Sequence, residues 1–72
     1  MDKEDMKLYF RVKLKELLEK KHFTQTDLAA HLGTSQQTIS RYLNGTFIPD
    51  CVRIKQIADI LECSVTYFYE NE

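Results

Sequence analysis

The sequence predicts an all-α fold, a compact domain of five helices around one core, and three observations carry that expectation. At 72 residues the chain has room for a single small domain that buries about 60 to 65% of its unfolded surface, which excludes a multidomain enzyme. Only two Gly and one Pro are present, too few for the many tight turns of an all-β chain. Apolar residues recur with a helical period behind Ser, Thr or Asp along most of the length.

Each helix can be read in order. Met6, Phe10, Leu14 and Leu17 form one stripe, with Lys7, Arg11, Lys13, Lys15 and Lys20 off it, so an amphipathic first helix is expected over about 5–21. Thr24 followed three positions later by Asp27 is a reciprocal capping start, which opens a second helix over about 25–32. Gly33 suits the left-handed residue that closes a helix, and Ser35 caps a third over about 36–43 that ends at Asn44 and Gly45. A loop from Thr46 to Pro49 follows. Asp50 caps a fourth helix with the stripe Ile54, Ile57, Ala58 and Leu61, and Ser64 opens a short fifth that turns Val65 and Phe68 inward. The expected core is Phe10, Leu14, Leu17, Phe23, Leu28, Ala29, Leu32, Ile39, Ile54, Ile57, Leu61, Val65 and Phe68.

The charge is unevenly placed. Residues 1–24 carry seven Lys or Arg against five acids, residues 25–48 one against one, and residues 49–72 two against five, for a net charge of −1. Blanket attraction to phosphate needs a strongly basic chain, so a nucleic-acid role must rest on placed hydrogen-bond donors. No run approaches the ~18 apolar residues of a membrane span, and the start MDKEDMK has no apolar signal core, so a cytoplasmic protein with no membrane partner is expected.

Nothing points to catalysis or to a cofactor. Cys51 and Cys63 do not form a CxxC pair, and His22 and His31 are not spaced as zinc ligands, which predicts reduced thiols, exposed histidines and no metal. Neither His has a nucleophile at a motif spacing, and no glycine-rich phosphate loop or small-molecule site is evident. Lys13, Lys15, Lys20 and Lys21 read as a solvated face.

The stretch QTDLAAHLGTSQQTISRYLN, residues 25–44, is the informative part. Two short helices joined by so tight a turn must cross steeply, which requires a small residue where the backbones approach, and Ala29 supplies it. At about 100° per residue, Gln36, Ser40, Gln37 and Arg41 share one arc of the third helix, while Ile39, Tyr42 and Leu43 share the opposite side. The polar arc carries two amides, a hydroxyl and a guanidinium. Gln pairs with adenine N6 and N7, and Arg with guanine O6 and N7.

In Thr24-Gln25, Leu28-Ala29, Gly33, Ser35, Ile39-Ser40, Gly45, Pro49, Ile54, Ile57-Ala58, Leu61 and Ser64, the chain resembles the phage Cro/repressor-type (XRE-type) helix-turn-helix family over about residues 10–69. The resemblance implies a lambda-repressor-like domain whose helices 2 and 3 form the helix-turn-helix. It also implies a sequence-specific transcription regulator, expected to be a repressor that binds double-stranded DNA as a homodimer on a palindromic operator. Gln36-Gln37 resembles the pair with which some lambdoid repressors read bases.

By that resemblance Gln36, Gln37, Ser40 and Arg41 are base readers, and Gln25, Ser35, Asn44 and Thr46 meet phosphate. Tyr69, Phe47 and Ile48 are candidates for the dimer interface. Where some members hold a buried Arg-Glu pair this chain has Leu18 and Leu43, which predicts plain apolar packing. Two other readings remain open: an antitoxin-like autoregulator, and a protein-interaction adaptor that keeps the fold without the DNA surface.

Overall fold

The chain, seen in a computed structural model, is described over residues 3–46 and 48–69, with side chains from residue 6 onward. Four α-helices follow in order: α1 (Lys3–Lys20), α2 (Gln25–Leu32), α3 (Gln36–Leu43) and α4 (Cys51–Ile60), after which Val65–Phe68 form a 3-10 turn. The second and third helices have the predicted limits. The first helix begins at Lys3 rather than near residue 5, and the expected fifth helix is a single 3-10 turn, capped by Ser64, whose hydroxyl accepts from the Thr66 amide. Four residues allow only one i to i+3 turn, enough to set Phe68 into the core but too few for an α-helical ladder. Among the described residues no helix is long and apolar enough to cross a membrane.

Phe10, Leu14, Leu28, Ile39, Ile54, Ile57 and Leu61 are the largest fully buried side chains, one or more from each α-helix or its end. Sealing a side chain of this size from water contributes about 1.5 to 3 kcal/mol. The Phe10 ring lies 5.1 Å from Phe68 and 6.4 Å, edge-on, from Tyr42. These contacts tie α1, α3 and the 3-10 turn together.

Three expected core residues sit at its margin: Phe23, Leu32 and Val65 are half-buried and pack against the core from segment ends. Leu18, Tyr42 and Ala58 take full places instead. Leu18 is buried and Leu43 half-buried against the same core, as expected of an apolar pair.

One lysine departs from the solvated face. The Lys13 ammonium lies 5.4 Å from the Tyr9 ring centre and 5.2 Å from that of Tyr67, with Glu16 at 3.7 Å. Cation–π contact with both rings draws it against the 3-10 turn. His22 and His31 are exposed as expected.

All four α-helices end with the same hydrogen-bond pattern. A residue one or two positions past the helix takes a left-handed backbone, and the next amide reaches back to close the last turn: Phe23 to Leu18, Thr34 to Ala29, Thr46 to Arg41 and Cys63 to Ala58. These bonds satisfy carbonyls the helix leaves orphaned. The left-handed residues are His22, Gly33, Gly45 and Glu62.

Candidate nucleic-acid interface

The local chemistry of the helix-turn-helix begins at Thr24. Its hydroxyl accepts from the Asp27 amide at 3.0 Å while the Asp27 carboxylate accepts from the Thr24 amide at 3.0 Å. Hydrogen bonding to the carboxylate from the Thr24 backbone first, and its side chain second, holds the Asp27 carboxyl below the ordinary aspartate range. Gln25 and Thr26 follow at the start of α2, where an amide has no helical carbonyl to meet and the helix dipole favours an anion. Gln25 is half-buried there, beside a cleft of about 380 Å³ that it shares with Leu18 and Leu43.

The elbow between α2 and α3 depends on Gly33, with φ 72 and ψ 32. A Cβ at this position would meet nothing within 4 Å. The demand for glycine is therefore one of backbone conformation, not of space. Ala29, buried where α2 passes α3, has the small side chain that close approach requires. A brace that sequence reasoning missed comes from α4: Arg53 Nη1 donates to the Leu32 carbonyl at 3.3 Å. The two residues are 21 positions apart, and no local pattern marks such a contact.

Helix α3 separates its faces cleanly. Ile39 is 0% exposed and Tyr42 5%, whereas Gln36, Gln37, Ser40 and Arg41 are all exposed. The structure thus brings the four expected base readers onto one open surface. Burial on the inner face pushes the Tyr42 hydroxyl upward in pKa.

The polar groups around α3 are partly committed. Ser35 Oγ accepts from the Thr38 amide at 3.2 Å and lies 3.0 Å from Thr38 Oγ1. It can donate to a phosphate when Thr38 serves as the donor in that hydroxyl pair. Beyond α3, the Thr46 amide donates to Asn44 Oδ1 at 2.9 Å, and the Thr46 hydroxyl donates to the same oxygen. Both lone pairs of that oxygen are occupied, so Asn44 presents its NH₂ to the outside while Thr46 orients it.

Two of the candidate dimer residues lie among the described residues and differ in exposure. Tyr69 is 37% exposed at the end of the 3-10 turn, Ile48 is half-buried against the core, and Phe47 lies outside the described residues. Cys51 is exposed and Cys63 half-buried, both as free thiols, and burial pushes the Cys63 thiol up in pKa. No group of His, Cys, Asp and Glu able to hold a metal occurs among the described residues.

The helix-turn-helix family model matches residues 14–68, spanning all of this surface. A solved structure similar to the chain is that of the SOS-response transcriptional repressor LexA from Eubacterium rectale. The match has 26% identity and a TM-score of 0.88, and covers 100% of this chain and 77% of that one. No curated protein matches.

Proposed function

The chain belongs to the XRE-type helix-turn-helix family of DNA-binding regulators, and from that premise we propose that it is a repressor that reads the major groove with α3. It acts as a two-fold dimer on half-sites about one helical turn apart. The observation that carries this reading is the open arc of Gln36, Gln37, Ser40 and Arg41 on a helix whose opposite side is sealed into the core. Gln25 and the first amides of α2 hold one phosphate, and the Asn44 NH₂ holds another beyond α3. The similar repressor is consistent with the regulatory sense, and no step of catalysis is required.

Selection from a random duplex library tests the proposal. Enrichment of a palindrome supports it, and enrichment of nothing would favour a protein-binding adaptor, the reading to which the net charge of −1 lends weight. On the selected operator, Arg41→Ala costs about 1 to 3 kcal/mol and relaxes preference at one base pair, whereas Gln25→Ala weakens all sequences about equally. With few cations per subunit, the slope of log affinity against log salt is shallow, about −2 to −6 for a dimer. Full affinity in both variants would remove α3 from the groove.

A further inference from the structure

Arg11 is the least explained cation of the described chain. It projects from α1 to the turn that closes α3: a Cβ built on Gly45 would lie 3.4 Å from Arg11 Cδ and 3.8 Å from its Nε. The Nε is buried and has no hydrogen-bond partner, and among the described residues no carboxylate pairs with the guanidinium. A buried donor left unsatisfied costs about 1 to 3 kcal/mol, more when charged, so it needs an acceptor in some state of the molecule. Beside it, Arg11, Val12, Lys15 and Leu43 line an open cleft of about 200 Å³. Lys15 follows Arg11 by one helical turn and is exposed.

We infer that Arg11 binds a backbone phosphate of the DNA, supported by Lys15 at the rim, and forms a second anchor at the C-terminal end of α3, in addition to the one at Gln25. The inference rests on the groove-reading function proposed above. Its geometry has three parts. The Gly45 turn lacks a side chain and lets the arginine stem lie against the backbone. That same turn carries the outward Asn44 NH₂, fixed by the Thr46 bonds. A phosphate oxygen there meets a neutral donor from one side and a guanidinium from the other, which suits the planar fork of Arg. The helix supporting α3 from behind thereby reaches DNA past the end of the groove helix, and its contact carries no base preference.

The test uses the full chain and a duplex selected by the wild-type protein, with affinity measured over a range of salt. Arg11→Met keeps most of the aliphatic stem against Gly45 and removes the charge. It is expected to lower affinity about 10-fold per subunit on every sequence and to make the salt slope shallower by about 0.9 per bound subunit, with the thermal midpoint held. Arg11→Lys restores the slope. If Arg11→Met does not fold, Arg11→Gln reads the same quantities. Unchanged affinity and slope in a folded charge-removing variant, with Arg41→Ala still impaired, would overturn the role of Arg11 and leave the groove reading standing. A wild-type protein that selects no sequence and binds no duplex overturns both.

Discussion

Two of the helix ends carry glycine and two do not, although all four close with the same hydrogen bonds. After α2 and α3 the left-handed residue is Gly33 or Gly45, and the next residue is a threonine, Thr34 or Thr46. After α1 and α4 it is His22 or Glu62, and the next residue is Phe23 or Cys63, each packed against the core. A left-handed backbone costs an L-residue about 1 to 2 kcal/mol. At the outer ends an apolar neighbour docking on the core offsets that cost, while beside the groove helix a polar threonine follows and glycine removes the cost directly. The same turn is therefore reached by packing in one place and by backbone freedom in the other.

The largest expected effect comes from cutting the packing route. Phe23→Ala removes a half-buried ring and lowers stability by about 2 to 3 kcal/mol in denaturant unfolding, near the lower end for large aromatic truncations. Adding His22→Gly should recover part of the loss, because the turn then no longer depends on the ring. Full additivity of the two changes would break the comparison.

Next comes the backbone route. Gly33→Ala is expected to destabilise by about 1 to 2 kcal/mol with no steric contribution, since a Cβ there meets open space. A thermal melt superimposing on the wild type would show that glycine is dispensable at the elbow. Smaller, and opposite in sign, is Glu62→Gly. It relieves the left-handed strain but adds about 0.4 to 1 kcal/mol of unfolded-state entropy, leaving a gain of about 0.5 kcal/mol. His22→Gly gains less, because His tolerates this conformation better than Glu. A loss of stability in both would refute the strain.

The smallest effect lies at a helix beginning. The Asp27 carboxyl is held low chiefly by the Thr24 backbone and side chain. Its contribution is thus fully present above about pH 4, the ordinary aspartate pKa, and fades as pH falls through the lower folded value. Asp27→Asn should flatten this acid limb and leave a neutral-pH loss kept small by full solvent exposure. An acid limb of undiminished steepness in the variant would assign it to other carboxylates.

The same contrast explains what was legible in the sequence. Thr24, Ser35, Asp50 and Ser64 could all be recognised as starts because a cap acts on an amide two or three residues away. Gly33 and Gly45 were legible as ends for an equally local reason. His22 and Glu62 were not, since their backbone is supported by burial of the following residue, which depends on the whole core. The open arc of α3 followed from helical period alone. What stayed hidden was how polar groups are spent: Thr46 on Asn44, Ser35 with Thr38, and Arg53 on the Leu32 carbonyl. Each depends on a rotamer or a long-range approach that spacing does not encode.

The interior has a practical consequence. Among the described residues no polar or charged side chain is fully buried, so cohesion of the fold owes little to Coulombic attraction, while a grip on DNA owes much. Concentrated electrolyte should strip the duplex away and leave the helices assembled, whereas urea should dissolve the helices themselves. The two solvents thus act as independent handles on one small molecule.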